Sequence, residues 1–163
     1  MLTALWSRYY LNQHTSLAQQ RFTFFTGRQG ISGQGSSNEL THADTNLHES
    51  GRVPWSFAFE FDTIVLDGHS WLIAQAREHG VLTFSFLNRS TEIGCFGFCV
   101  GDASRLIHRA YNTNMPWVLP ANTTFGFDIV FDRYAGTSPE AMSLRLTLLG
   151  RGVKPMPTNM LDY

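Results

Sequence analysis

Residues 54–66 read PWSFAFEFDTIVL, and they carry the strongest strand signal in the sequence. Two sets of side chains alternate along it: Trp55, Phe57, Phe59, Phe61, Thr63 and Val65 form one set, and Ser56, Ala58, Glu60, Asp62, Ile64 and Leu66 form the other. Successive side chains of a β-strand point to opposite faces of the sheet. We therefore predict a strand that buries the first set, Trp55 included, and turns the second set outward at least in its first half.

The segment that follows this strand carries the signals of a short helix. After the turn residues Asp67 and Gly68, Ser70 is a suitable N-cap for a helix over residues 70–79. Gly80 supplies the C-terminal stop. Helical signals elsewhere in the chain are weaker, so we predict one short helix.

Strand signals continue on both sides of this helix. Short apolar or alternating runs, separated by Gly, Pro and Asn, occupy residues 21–26, 81–87, 93–100, 105–111, 115–119, 124–131 and 142–150. With residues 54–66 they make about eight strands. Eight short strands and one helix predict an all-β fold, a β-sandwich or jelly roll, rather than an alternating βαβ design.

The domain organisation follows from where these signals stop. Residues 1–20 show no sustained period, and we predict an N-terminal arm. Residues 21–152 form the jelly-roll domain, in which residues 27–51 are a long glycine-bearing loop. Residues 153–163 are predicted to be a C-terminal tail, because Pro155 and Pro157 exclude a central strand.

Composition and charge argue against several classes of protein. The formal net charge is -1 and only 15% of the 163 residues are charged, so we expect no direct binding to nucleic acid. No apolar run is long enough to span a bilayer, and we recognise no signal peptide, which predicts synthesis in the cytoplasm. Cys95 and Cys99 would lie about 13 Å apart on one strand, too far for a bridge, so we expect two buried thiols.

One cluster has metal-capable side chains at close spacing. His42, Asp44 and His48 lie in the polar loop and offer ligands that zinc accepts. No helix fixes the two histidines on one face, so a solvated loop is the ordinary interpretation and the three residues are weak metal candidates. Glu60 and Asp62 lie on the outward face of one predicted strand, and paired carboxylates can catalyse glycoside hydrolysis. Nothing in the flanking sequence supports this chemistry, so an ordinary solvated face is the usual interpretation. We predict no catalytic residue, no cofactor and no enzymatic activity.

Aromatic residues give the remaining candidates. Trp6, Tyr9, Tyr10 and Trp117, together with Pro155 and Pro157 of the tail, are the predicted interface residues. Trp117 lies between Pro116 and Pro120, and it is also the better candidate for stacking on a sugar ring.

The order of the segments resembles virion structural proteins of bacteriophages that are built on a single jelly roll, the small capsid proteins of tailless, membrane-containing viruses among them. The resemblance rests on FFTGRQG (24–30), TNLHESGRVPWSFAFEFDTI (45–64), the helix, LTFSF (82–86), NMPWVLPANTTFGFDIVF (114–131) and LRLTLLGRGVKP (144–155).

This resemblance implies a capsid or capsid-associated subunit, located in the virion, that acts by self-assembly or by docking to other coat proteins. Residues 1–20, 27–51 and 153–163 would then reach neighbouring subunits in a homo- or hetero-oligomer. Two alternatives stay open: a carbohydrate-binding β-sandwich that uses Trp117, and a cupin-like metal enzyme that uses His42, Asp44 and His48.

Overall fold

The structure of the chain is a computed structural model that describes residues 3–26, 43–49, 51–95, 99–100 and 108–154. For residues 43–44, 99–100 and 108–110 it describes the backbone alone. No helix in this part of the chain is long and apolar enough to cross a membrane.

The described residues form two antiparallel sheets and one helix. The elements are β1 (Ala4–Leu11), β2 (Arg21–Phe24), β3 (Ala43–Thr45), β4 (Ala58–Gly68), α1 (Ser70–His79), β5 (Gly80–Phe86), β6 (Arg89–Gly94), β7 (Cys99–Val100), β8 (His108–Leu119), β9 (Phe125–Phe131) and β10 (Met142–Val153). The large sheet has the strand order β3-β1-β10-β4-β8-β7, and the small sheet has the order β2-β9-β5-β6. The predicted all-β sandwich with one short helix is confirmed.

The chain passes back and forth between the two sheets. Apart from the edge strands β3 and β7, the large sheet contains β1-β10-β4-β8, and these four strands lie over the four strands of the small sheet. Among these eight strands, the hairpin between β5 and β6 is the connection that stays within one sheet. Every other connection crosses to the opposite sheet, so neighbours within a sheet are mostly distant in sequence.

Aromatic rings fill the space between the sheets. Phe61 of β4 lies with its ring centroid 6.2 Å from that of Phe84 and 6.3 Å from that of Phe127, both in the small sheet. At the other end of the core, the ring of Tyr9 stacks on that of Phe22 at 4.3 Å. Burying each such side chain stabilises the fold by roughly 1.5–3 kcal/mol, which makes this aromatic layer the main support of the sandwich.

The strand predicted over residues 54–66 is shorter than expected, and its alternation is interrupted. Phe59 and Phe61 are buried as predicted, but the next buried residues are Ile64 and Leu66. Both neighbouring strands skip Asp62 in the pairing register, so a β-bulge at this residue shifts the inward set by one. The prediction that the face of Phe59 and Phe61 continues unbroken to the end of the strand is therefore wrong.

The same correction applies to the start of the stretch. Trp55 precedes β4 and is 80% exposed, so it does not share the burial of Phe59 and Phe61. The chain at residues 54–57 is not paired as a strand, so the alternation of buried and exposed side chains that includes Phe59 does not extend back to Trp55.

The predicted N-terminal arm is corrected over most of its length, because Ala4–Leu11 is strand β1, hydrogen-bonded between β3 and β10. Leu5 and Leu11 are fully buried, as is Leu17 in the following loop. The inward set of β1 also contains Ser7, whose buried hydroxyl accepts a hydrogen bond from the Phe25 amide at 2.8 Å. This polar residue at an inward position interrupts the alternation of apolar and polar residues by which a strand is recognised in a sequence.

Other predicted boundaries shift by smaller amounts. The segments 105–111 and 115–119 are parts of one irregular strand, β8, as far as its described residues extend. The hairpin after β5 turns at Leu87 and Asn88, which both have positive φ angles, so β6 starts earlier than predicted. Within the predicted loop 27–51, Ala43–Thr45 is the edge strand β3, and residues 27–42 lie outside the described residues. The helix is confirmed over Ser70–His79.

The N-cap of the helix and the end of the last strand also differ from the prediction. His69, and not Ser70, is the N-cap of α1, and its Nδ1 accepts the Trp71 amide hydrogen at 3.2 Å. Strand β10 includes Val153, which was predicted to start the tail, while residues 155–163 lie outside the described residues.

Candidate functional site

Of the three metal candidates, the structure describes the side chain of His48 alone. His48 is exposed, Asp44 is described by its backbone alone, and His42 lies outside the described residues. No three His, Cys, Asp or Glu side chains of the described residues are grouped closely enough to hold a metal ion.

The buried thiol is chemically quiet. Cys95 is completely buried, and this desolvation raises its pKa to about 12, against the lowering effect of a backbone hydrogen bond at Leu82. A thiol that keeps its proton at neutral pH is a poor nucleophile and a poor metal ligand. The side chain of Cys99 is not described.

The predicted interface residues of the N-terminal segment divide between the two faces of β1. Tyr9 points into the core, where it stacks on Phe22, and burial raises its pKa. Trp6 is half-buried on the outer face, with the guanidinium carbon of Arg145 lying 5.1 Å from its ring centroid. Tyr10 is half-buried as well. Pro155 and Pro157 lie outside the described residues.

Trp117 lies in the aromatic layer between the sheets. Its ring stacks on Phe84 with centroids 5.2 Å apart and meets Phe61 edge-on at 5.7 Å. One ring face is therefore occupied within the protein. The exposed tryptophan is instead Trp55, which sequence reasoning placed in the core.

Several exposed apolar side chains belong to strands β8 and β10 of the large sheet or to the segment that precedes β4. We call this group the outer patch, and its members are Trp55, Met115, Val118, Leu149 and Val153. Met115 is 74% exposed and Leu149 is 41% exposed. The pairing register fixes their neighbourhood: Val118 lies opposite Glu60, and Arg151 lies opposite Glu60 on the other side.

Two adjoining hollows on the large sheet include Leu149 and Val153 of the outer patch in their linings. The larger has a volume of about 850 Å³ and is lined by Ser56, Phe57, Glu60, Arg151, Gly152, Val153 and Lys154. The smaller has a volume of about 610 Å³ and is lined by Glu60, Phe61, Asp62, Thr63, Pro116, Leu149, Gly150 and Arg151. Glu60 and Arg151 line both hollows. We refer to the two together as the outer groove.

The bulges in β4 and β8 create the smaller hollow. On β8, residues 113–116 have no partner in the register between Trp117 and Asn112. The Thr113 hydroxyl holds this extra loop of strand by donating to the backbone oxygens of Met115 at 2.7 Å and Asp62 at 3.2 Å. The loop carries Met115 out into solvent, and Pro116 is tolerated there because a bulge needs no ladder donor.

One ion pair lies in the middle of the outer groove. The Arg151 guanidinium donates from Nη2 to Oε1 and Oε2 of Glu60, at 3.4 Å and 3.3 Å. The Arg151 side chain is 66% exposed, so this pair contributes little to stability. Lys154 adds a second cation at the open end of the groove. A surface that combines apolar side chains such as Leu149 and Val153 with a few charged ones is suited to binding a protein segment.

Comparisons with known proteins give one likeness to report. No family model matches the chain, and no curated protein matches it. Among solved structures, PRD1 vertex protein P5 is similar over 90% of this chain and 96% of that chain, at 9% sequence identity and a TM-score of 0.42. A likeness of this size establishes neither a shared family nor a shared function.

Proposed function

We propose that this chain is a structural protein of a virion, a capsid or capsid-associated subunit that acts by self-assembly or by docking to other coat proteins. The observation that carries the proposal is the outer patch. Soluble monomers rarely expose contiguous apolar patches of more than a few hundred Å², and larger patches with a polar rim mark protein contacts. Val118 of β8 lies opposite Glu60, and Val153 lies two residues after Arg151 on β10, so exposed apolar side chains flank the Glu60–Arg151 pair on two strands.

The strand connectivity supports the proposal at the level of scaffold. Eight strands in the order β1-β10-β4-β8 over β2-β9-β5-β6 are the arrangement of a jelly roll, and we infer that fold from it. Jelly rolls serve as viral coat proteins, lectins and cupins, so the scaffold admits all three hypotheses and selects none of them. The choice among them depends on the surface.

The surface favours a protein partner over a sugar or a metal. A sugar platform needs an exposed aromatic ring face, and Trp117 has one face against Phe84. Trp55 has the required exposure, which keeps carbohydrate binding as the second candidate function. For a cupin-like metal site, the described part of the chain offers no grouped ligands in support.

Matched substitutions on the two sheets test where assembly occurs. Leu149 and Val81 are similarly exposed, at 41% and 38%, on opposite sheets of the sandwich. We expect Leu149→Asp to abolish oligomers in size-exclusion chromatography with light scattering, because a carboxylate cannot be buried at an apolar contact without a large cost. Val81→Asp should assemble like the unmodified protein.

Carbohydrate binding, the alternative function, is tested by a separate measurement. A glycan array probed with the unmodified protein and with Trp55→Ala should show no difference between them. A glycan signal that disappears with Trp55→Ala, in a protein that does not assemble, would replace our proposal with carbohydrate binding. Equal assembly of Leu149→Asp and the unmodified protein would remove the outer patch from the proposal.

A further inference from the structure

We propose that residues 155–163 of one copy of the chain bind the outer groove of a second copy. The inference rests on the proposed function, because it names the segment that would fill the outer patch when subunits join.

The described chain ends inside the groove. Strand β10 finishes at Val153, and Lys154 is the last residue that the structure describes. Both residues line the larger hollow together with Phe57. Residue 155 is therefore bonded directly to Lys154, a residue that lines the groove.

The composition of the segment matches the groove. Residues 155–163 read PMPTNMLDY, with Met156, Met160, Leu161 and Tyr163 as apolar side chains. Methionine fits irregular apolar hollows well, because its unbranched side chain has three rotatable bonds. The single charged side chain of the segment is that of Asp162, and the exposed cations of the groove are Arg151 and Lys154.

The proline spacing favours a groove on another copy. Proline disfavours the helical region for the residue before it, so Pro155 and Pro157 bias Lys154 and Met156 toward extended conformations. A chain of this kind advances by about 3 Å per residue and runs about 10–12 Å past the end of β10 before a reversal is favoured. Residues 158–163 then span at most about 20 Å, enough to cross the groove of an adjacent subunit.

A chain that ends at Lys154 serves as the receptor in the test. It keeps the ten described strands and the aromatic layer, and its circular dichroism and urea midpoint are compared with those of the full chain before use. Its methionine, leucine and valine methyl groups are labelled with ¹³C, and a synthetic peptide of residues 155–163 is added. We expect chemical-shift changes at Leu149 and Val153, which line the groove, with no change at the similarly exposed Val81.

Two control variants separate specific binding from general stickiness. Leu149→Asp in the receptor should weaken peptide affinity by about tenfold or more, and Val81→Asp should leave the affinity unchanged. A peptide with Met160→Ser and Leu161→Ser should lose binding to a similar extent, because those substitutions remove its apolar contacts.

The origin of the bound segment is tested by mixing. When unlabelled full chain is added to the labelled receptor, the same methyl signals should shift, since only another copy can supply the segment. No shift at the outer patch with either the peptide or the full chain would overturn this inference. If the full chain then still formed oligomers, the proposed function would stand without the tail.

A full chain that stayed monomeric would overturn both the exchange and self-assembly. Shifts from the peptide but none from the full chain would place the segment in its own groove and overturn the exchange alone. The two failures are therefore distinguishable.

Discussion

Single residues decide how closely the strands around the outer groove can approach. At the bulge, Gly150 of β10 lies against the backbone of β4, where an added Cβ would overlap the carbonyl oxygen of Glu60 and lie 2.7 Å from the Cα of Phe61. Gly126 of β9 is a contrasting case, because an added Cβ there meets no atom within 4 Å. Replacement by alanine should therefore affect stability differently at the two glycines.

We predict that Gly150→Ala lowers the free energy of unfolding by about 2–4 kcal/mol, because the added methyl forces β10 away from β4. Gly126→Ala, the matched control, should change it by less than about 1 kcal/mol. Urea unfolding followed by tryptophan fluorescence measures both. Equal effects of the two substitutions would show that the close approach at the bulge is unimportant.

Cys95 gives the fold a stability term that depends on pH. Burial raises the pKa of its thiol to about 12 from an ordinary value of 9.0, opposed by the backbone hydrogen bond at Leu82. The folded state keeps the proton and the unfolded state releases it, so this term is complete below about pH 9 and is lost as the pH rises toward 12.

Cys95→Ala tests this term. Above pH 9 the free energy of unfolding of the unmodified protein should fall faster than that of the variant, by up to about 1.4 kcal/mol per pH unit. The variant is expected to be less stable at pH 7, because it leaves a small cavity. Parallel pH profiles for the two proteins would contradict the raised pKa.

At the scale of elements, β1 is a structural strand and not an arm. It pairs with β10 from Ala4↔Leu149 to Leu11↔Met142, and its edge partner is β3. We predict that deletion of residues 1–20 abolishes cooperative unfolding, because it removes the buried residues Leu5, Leu11 and Leu17 and exposes the edge of β10. Circular dichroism during a thermal ramp measures this.

Truncation at Lys154 is the matched control for that deletion. It removes none of the described strands, so its unfolding transition should remain as sharp as that of the full chain. A deletion of residues 1–20 that melts with the same sharp transition would contradict the assignment of β1.

The helix offers a smaller test at its N-terminus. His69 accepts the Trp71 amide hydrogen through Nδ1, and its Nε2 lies 2.9 Å from Oε1 of Glu140. His69→Ala should cost about 1 kcal/mol of stability, most of it from the lost cap, since the Glu140 pair is largely solvent-exposed. His69→Asn should recover most of the loss, as measured by urea midpoints, and failure to recover would point away from capping.

Sequence patterns predicted those elements whose inward positions are uniformly apolar. Strands β5, β9 and β10 and the helix fall within a few residues of their predicted bounds. Strand β1 was not predicted, because the polar residue Ser7 occupies an inward position. The bulge at Asp62 could not be predicted, since it exists only relative to the registers of β8 and β10, which are distant in sequence.

At the scale of the whole molecule, the same long-range pairing explains why the candidate site was not predicted. Leu149 and Val118 lie on neighbouring parts of one sheet because β10 and β8 both flank β4, and no local sequence pattern indicates this adjacency. Trp55 was predicted to be buried and Trp117 to be available for binding, and the structure reverses these roles. The reason is the same, because the exposure of each side chain depends on where strand pairing starts. Fold class could be read locally, whereas the outer patch required the tertiary structure.

The outer patch is also what gives the whole molecule its expected behaviour in solution. An interface built on it would have an apolar centre with one ion pair and a polar rim, the usual anatomy of a protein contact. Burial of apolar surface drives such association, so it should persist at high salt.

Sedimentation velocity of the full chain over a wide concentration range, with electron microscopy of fast-sedimenting material, tests the central claim most directly. Our account predicts that the 18.4 kDa chain forms discrete oligomers or shells whose proportion rises with concentration and does not fall at high salt. A single species with the mass of one chain at every concentration would contradict self-assembly through the outer patch.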